Sequence, residues 1–271
     1  MSGVRYQLGF IGAGKLAGSV IRGFLLKNVC AAREIIASEP NPELRSQLQN
    51  ELGIRCTEHN SEVAQTAEMI FLGVKPQMVT TVLRDLGEYV AGKLVASFAA
   101  GIRIASMEAV TPARIMRVMT NTPSAIGRAA TAFAAGARAT DDDRCKVAGM
   151  FNAIGTAVEV SDEQIDAVTA LGGSGPAFVY RVIEALAQGG AREGLSHDAA
   201  LKLAAQMTLG AAELALTSGK SPDDLVAQVV TPGGTTAAGL RVMEERHAME
   251  AIADAVQAAA NRGCEMSREA M

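Results

Sequence analysis

Residues 6–28 read YQLGFIGAGKLAGSVIRGFLLKN, and the fold turns on them. Residues 7–11 form an apolar run short enough for a buried strand, and residues 16–28 carry a helical pattern. Between them stands Gly12-Ala13-Gly14-Lys15-Leu16-Ala17. In a strand–turn–helix unit, a first glycine allows the tight turn and a second lets the backbone approach a pyrophosphate. A small third residue, here Ala17, keeps helix and strand close, with phosphates resting on the helix N-terminus. A GxGxxA taken alone is a weak signal. Here it follows an expected strand, opens an expected helix and heads a longer series, which is the context that dinucleotide binding requires.

Outward from that turn the rhythm continues. Residues 34–38, 69–74, 94–98 and 115–119 are short apolar runs, with helical stretches at 42–52 and 78–89. Alternating strands and helices predict a doubly wound, mainly parallel sheet. Continuous apolarity within each run is what strands covered on both faces show. The acidic run Asp141–Asp143 marks another helix start, and residues 156–160 a further strand. Beyond Asp162 the strand signals stop. Phe178, Val182 and Leu186 lie at i, i+4 spacing on one long helix, and helical patterns continue over 199–217, 223–230, 236–245 and 249–262. The expected organisation is a Rossmann-type α/β domain over residues 1–162 and an all-α domain over 163–271. The later helices are apolar around much of their circumference and call for a subunit interface.

Composition narrows the function classes. With 25 Lys+Arg against 29 Asp+Glu in 271 residues, the net charge of −4 gives no electrostatic footprint for nucleic acid or an anionic membrane. Four cysteines (Cys30, Cys56, Cys145 and Cys264) lie far apart without a CxxC pair, which argues against a disulfide framework or a zinc site. No metal is expected. No signal peptide is apparent, and the most apolar later stretch (94–110) is too short for a bilayer and holds Arg103 and Glu108. The expectation is a protein of the cytoplasm.

Further motifs fall at strand ends, the edge where ligands lie in such sheets. Ser38-Glu39-Pro40-Asn41 ends the second strand, where the ribose is read. Glu39 could accept bonds from ribose hydroxyls and repel a 2′-phosphate. Alternatively Ser38, Asn41 and Arg45 could cradle that phosphate, or Glu39 could be a solvated turn residue. Val74-Lys75-Pro76, Ser97-Phe98-Ala99-Ala100-Gly101 and Asn121-Thr122-Pro123 end three further strands, and together they favour a cleft. Gly172-Gly173-Ser174-Gly175-Pro176-Ala177 precedes the long helix; it reads either as a close approach to a ligand or as packing. Thr231-Pro232-Gly233-Gly234-Thr235-Thr236 opens another helix, which reads either as free N–H groups suited to a carboxylate or as a helix start that Thr simply caps. His59, His197 and His247 are scattered among polar residues, and no Ser/His/Asp, HExxH or P-loop pattern occurs.

Taken together, GFIGAGKLA (9–17), VKPQ (74–77), SFAAGI (97–102), MTNTPS (119–124), ALGGSGPAF (170–178) and TPGGTT (231–236) resemble the pyrroline-5-carboxylate reductases over nearly the whole chain. The resemblance implies reduction of 1-pyrroline-5-carboxylate to L-proline by NADPH or NADH, the last step of proline biosynthesis. It also implies a helical domain that intertwines with a partner's to form dimers, often assembled into decamers. Carried over by position, Ile11, Gly12, Ala13, Gly14, Lys15 and Leu16 hold the pyrophosphate. Glu39 falls at the adenosine ribose, with Ser38 beside it as a further candidate cofactor contact, and Asn60 at the adenosine end. Gly73, Val74, Lys75 and Pro76, with Phe98, Ala99 and Ala100, flank the cofactor. Thr231, Gly234, Thr235 and Thr236 fall where the family grips the substrate, and Asn121, Ser174 and Gly175 join them as candidate substrate contacts. Glu39 stands where many relatives carry a small polar residue, which puts an NADPH preference in doubt. Thr231 replaces a frequent Ser but keeps the hydroxyl.

The missing base fits this chemistry. A ketone reduced to an alkoxide needs a proton donor beside it. A cyclic imine is basic enough to arrive partly as the iminium, which already carries the proton and is the better hydride acceptor, so the protein mainly has to orient it, and a hydroxyl such as that of Thr236 suffices. The β-hydroxyacid dehydrogenases share a Rossmann domain followed by helices, but they place a catalytic Lys after the Gly-rich interdomain segment. Residues 176–190 contain Arg181 and no Lys. TPGGTT, which fits a second, anionic ligand, weighs against a non-enzymatic NAD(P) sensor.

Overall fold

The computed structural model describes residues 5–269, which form two compact units. One runs to Ser174 and takes back the chain from Ala259; the other is Gly175–Ala258.

The first unit is built on one eight-stranded sheet. Its strands are β1 (Tyr6–Ile11), β2 (Ile35–Ser38), β3 (Arg55–Thr57), β4 (Ala67–Leu72), β5 (Leu94–Ser97), β6 (Arg114–Met119), β7 (Ala129–Ala135) and β8 (Gly155–Glu159). They are ordered β3-β2-β1-β4-β5-β6-β7-β8. Every pairing is parallel except β6 with β7. The order reverses between β2 and β4 around β1, so the switch point lies at the C-terminal end of β1, directly over Gly12.

Helices cover both faces: α1 (Lys15–Leu26), α2 (Pro42–Leu52), α3 (Asn60–Thr66), α4 (Val79–Leu86), α5 (Ile104–Glu108), α6 (Asp141–Ala153) and α7 (Ile165–Val168). The strand pleat divides the core in two. Phe10, Phe71 and Val118 face a layer with Val20, Phe24 and Phe151, while Ile11, Ile70 and Leu72 face Val63, Leu83 and Met107. Phe71 is the hub, stacked on Phe10 at 4.9 Å and on Phe98 at 5.3 Å between ring centroids. Each such buried side chain stabilises the fold by ~1.5–3 kcal/mol. Thr140 caps α6 in a reciprocal box with Asp143, whose carboxylate also takes two bonds from Arg114 at 2.7 and 2.9 Å.

Two strands went unread in the sequence. β3 has only three residues, too few to show a period. β7 reads AATAFAA, an alanine-rich run with helical propensity, and it is a strand because β6 and β8 pair with it on both sides.

The second unit contains α8 (Gly175–Arg192), α9 (His197–Thr217), α10 (Pro222–Val229), α11 (Thr235–Glu245) and the first part of α12 (Ala248–Glu269). Its internal core is small: Ala187, Ala200 and Ala204 with Ile183, where α8 and α9 pack closely. Large apolar residues stay exposed, among them Leu203 at 60%, Val229 at 66% and Leu216 at 81%. A helical unit with three alanines for a core and leucines in water needs another protein surface to cover them.

Candidate active site

The turn after β1 is built for close approach. Gly12 has φ +83°, and a Cβ there would stand 2.9 Å from the backbone of Gly73 and Val74. Its N–H donates to Ser38 O at 3.0 Å, which ties the turn to the end of β2. A Cβ on Gly14, by contrast, would meet nothing within 4 Å, so the chain is open on its outer side. Gly14 is the N-cap of α1 and no side chain caps that helix. The first N–H groups of α1 therefore point outward beside open space, with the positive end of the helix dipole behind them. Such a terminus suits an anion, and it lies at the turn formed by residues 11–16, where the pyrophosphate is expected.

At the neighbouring end of β2, Ser38 donates to Asn60 Oδ1 at 2.7 Å, so two of the expected cofactor-binding residues are joined. Glu39 is largely buried, and its Oε1 accepts from Asn41 N at 3.1 Å. Arg45 lies over the same turn: its Nη1 donates to Glu39 O at 2.7 Å and Pro40 O at 3.2 Å, and Nη2 stands 3.7 Å from Glu58. The turn expected at the ribose thus carries the Glu39 carboxylate and the Arg45 guanidinium on one short stretch of chain, and Glu39 is not the solvated turn residue that one of the three readings made it.

Gly73 follows β4, and its N–H donates to Ile11 O at 2.8 Å, locking the β1 and β4 turns together. Val74 is half-buried, Lys75 exposed, and Pro76 opens a short 3₁₀ turn. After β5, the Phe98 ring is part of the core, so residue 98 offers its backbone at the strand end. Ala99 is buried and Ala100 half-buried. Asn121, past β6, bonds backbone on both sides: Nδ2 donates to Gly172 O at 3.0 Å and Oδ1 accepts from Ala130 N at 3.2 Å. It fastens the strand end to a single π turn, Thr169–Gly173, in which Ser174 N donates to Thr169 O at 3.0 Å. Ala100, Gly101, Thr169 and Ser174 line a cavity of about 250 Å³ with Ala259 and Arg262 of α12.

In the second unit, Gly175 opens α8 with no neighbour in Cβ range. The TPGGTT turn lies before α11. Gly233 has φ +71°, and Gly234 N donates to Thr231 O at 2.9 Å. A Cβ on Gly234 would sit 2.3 Å from Thr231 Oγ1, so the Thr231 hydroxyl lies directly on the glycine. Gly234 is the N-cap and no side chain caps α11. The N–H groups of Thr235, Thr236 and Ala237 are left for another acceptor, flanked by hydroxyls at 231, 235 and 236.

The sequence reading passed over one group, the buried Arg117 with Asp162 and Asp166. A signal was present: Arg117 is a lone charge inside residues 115–119, a run otherwise apolar enough for a doubly covered strand.

The chain matches two families. Residues 162–266 match the family described as pyrroline-5-carboxylate reductase dimerisation, and residues 7–101 the one described as NADP oxidoreductase, coenzyme F420-dependent. It is 40% identical to the pyrroline-5-carboxylate reductase of Pisum sativum, covering 97% of this chain and 96% of that one. Against the Methanosarcina acetivorans enzyme of the same name the identity is 38%, over 97% of this chain and 98% of the other. Among solved structures, the Plasmodium falciparum pyrroline carboxylate reductase with NADP bound superposes with a TM-score of 0.87 at 28% identity, covering 98% and 100% of the two chains. With the dinucleotide cradle, the uncapped TPGGTT helix and this likeness along its length, the chain belongs to the pyrroline-5-carboxylate reductase family.

Proposed function

We propose that the chain reduces 1-pyrroline-5-carboxylate to L-proline with NADPH or NADH, and that the residues named above divide the work as follows. The bound nicotinamide supplies the hydride. Residues 11–16 hold the pyrophosphate on the α1 N-terminus, with Ser38, Glu39 and Asn60 at the adenosine ribose. Gly73–Pro76 and the backbone of Phe98–Ala100 flank the rest of the dinucleotide. The uncapped N–H groups of Thr235 and Thr236, with the Thr231 hydroxyl, receive the substrate carboxylate. Thr236 Oγ1 accepts the iminium N–H and fixes the ring. Hydride transfer requires the imine carbon ~3–3.5 Å from the nicotinamide C4, and this orientation is what the hydroxyl contributes. The hydride brings both electrons to carbon, the C=N π pair moves to nitrogen, and the nitrogen keeps its proton. No side-chain acid is consumed.

Asn121, Ser174 and Gly175 have a more indirect part in this reading. Asn121 shapes the pocket through Gly172, and Ser174 lines it. The observation that carries the proposal is the uncapped α11 terminus with the Thr231 hydroxyl seated on Gly234. Such a pair suits a small carboxylate and has no role in hydride transfer to a ligand without one.

The exposed leucines of α9 are covered in a homodimer built through the helical unit, and decamers would be assembled from such dimers. All four cysteines are free thiols, which suits a reducing compartment, and we place the enzyme in the cytoplasm. Among the described residues no helix is long and apolar enough to cross a membrane. Oxidation of NADPH or NADH on adding 1-pyrroline-5-carboxylate is the direct test. Reduction of NAD(P)+ by 3-hydroxyacids, with none of the first reaction, would overturn the reading.

A further inference from the structure

Arg117 is the largest fully buried side chain in the described residues, and no step above uses it. It sits in the middle of β6 and reaches the connection between β8 and α7 and the first turn of α7. There Nη1 donates to Asp162 Oδ1 at 2.7 Å and Asp162 O at 3.0 Å, and Nη2 to Asp166 Oδ1 at 3.1 Å. A second guanidinium closes the group. Arg103 Nη2 donates to Asp166 Oδ2 at 2.8 Å and its Nη1 to Asp162 O at 2.6 Å. The remaining Asp162 oxygen, Oδ2, accepts the N–H of Ile104 at 3.1 Å, the first N–H of α5.

We propose that this four-charge cluster is a positioning device for hydride transfer, fixing the loop after β5 relative to the π turn at 169–173. The proposal rests on the reading of Phe98–Ala100 as the wall beside the nicotinamide. The connectivity supports it. Arg103 and Ile104 end the loop that begins at Phe98, so the cluster anchors that loop at its far end. Asp162 and Asp166 bracket the entry to α7, which runs without a break into the π turn. The other end of that turn is held by Asn121 through Gly172 O. Gly101, two residues from Arg103, and Thr169, three from Asp166, line the same cavity. Two walls of one cavity therefore share a single buried anchor.

The chemistry of the cluster fits placement better than stability. A buried ion pair is often no more stabilising than a well-packed apolar set of the same volume. Arg117 Nε also has no hydrogen-bond partner, a cost on the order of 1–3 kcal/mol. What the four charges supply is direction: two forked donors and two carboxylates lock three separate chain segments in one arrangement. A π turn is also a costly local geometry, and such turns occur frequently at functional sites.

The test uses the full-length enzyme and Asp166→Asn, which keeps shape while removing one charge. Three quantities are read: the NADPH dissociation constant by fluorescence titration, kcat, and the isotope effect on kcat with NADPH deuterated at the transferred C4 position. We expect NADPH affinity within about 2-fold of wild type and kcat lower by roughly 10- to 100-fold, the scale of a sub-ångström to 1 Å misplacement. The isotope effect should rise as hydride transfer becomes the slow step. A lower melting temperature with kcat per cofactor-binding site and isotope effect both unchanged would show that the cluster only holds the fold together. If Asp166→Asn does not fold, Arg103→Lys replaces it. Arg103 is on the rim and partly exposed, and a lysine keeps the charge but loses the planar fork whose two nitrogens reach Asp162 O and Asp166 separately. It should show a smaller fall in kcat with the same rise in isotope effect, and wild-type values of both would overturn the proposal. A wild-type enzyme that binds NADPH but does not reduce 1-pyrroline-5-carboxylate would instead refute the function proposed above.

Discussion

Replacing Glu39 by Gln removes one charge from the ribose edge while keeping the oxygen that accepts the Asn41 N–H. The electrostatics of that edge can be worked from its neighbours. A unit charge 4 Å from another interacts by about 4 kcal/mol at an effective dielectric of ~20, and a 2′-phosphate beside Glu39 would feel repulsion of that order. Arg45 opposes it from the same turn, fixed by its bonds to Glu39 O and Pro40 O. Arg45 is itself drawn 3.7 Å from Glu58, so its field is partly offset. The residual bias attributable to the Glu39 charge is then about 1–2 kcal/mol, or roughly 5- to 30-fold in kcat/KM. Glu39→Gln should raise the ratio of kcat/KM for NADPH over NADH by about 10-fold, and Arg45→Ala should move it the other way. Steady-state assays with both cofactors at one ionic strength read this directly, and 0.5 M salt should shrink both shifts by screening. An unchanged ratio in Glu39→Gln would mean that the carboxylate is only a turn brace for Asn41 and plays no part in choosing the cofactor.

Three further outcomes follow from the geometry. Thr236→Ala should lose about 10- to 100-fold in kcat/KM, the worth of one or two hydrogen bonds at ~1.4 kcal/mol per decade, while Thr236→Ser keeps most activity and cofactor affinity holds in both. Complete loss of turnover with NADPH binding intact would point to Thr236 as a proton donor, against the orientation role. Asp143 is held at about 2, below its usual 3.8, chiefly by its bonds from Arg114. Because the folded value is the lower one, its contribution is present above the unfolded value and is lost as pH falls through about 2. Asp143→Asn should therefore cost about 2 kcal/mol in urea melts at pH 7 and almost nothing near pH 2; an equal cost at both would refute the linkage. Light scattering at micromolar concentration should give at least twice the 28.1 kDa chain mass, and a monomer would contradict the reading of the α9 surface.

The Rossmann unit was legible where a feature is local and repeated. The glycine turn, the apolar runs and the capping residues each report their own conformation, and residues 12–14 carry the switch point with them. Features that depend on partners distant in sequence were not. β7 is a strand only because β6 and β8 flank it, and nothing in AATAFAA says so. The motif at 119–124 drew attention to Asn121 as a ligand contact. In the fold its amide bonds two backbone groups, 9 and 51 residues away, that no local pattern could pair with it. Phe98 likewise sits in a motif by its backbone while its ring belongs to the core stacked on Phe71.

Arg117 shows the physical reason for this division most sharply. A charge inside a doubly covered strand is costly unless matched, so its presence in the sequence already announces buried partners. Their identity, however, depends on chain that returns 45 and 49 residues later with Asp162 and Asp166. Residue type thus revealed the demand and topology supplied the answer. The same holds for TPGGTT: the sequence shows a helix start rich in hydroxyls, and the fold adds that no side chain among the described residues caps it. An acceptor is wanted there, and a small carboxylate with a protonated ring nitrogen meets both the N–H groups and the hydroxyl. Under the proposed function, that pairing is why a chain whose motifs hold no histidine can be read as an imine reductase: a substrate that carries its own proton asks the protein only to hold it still.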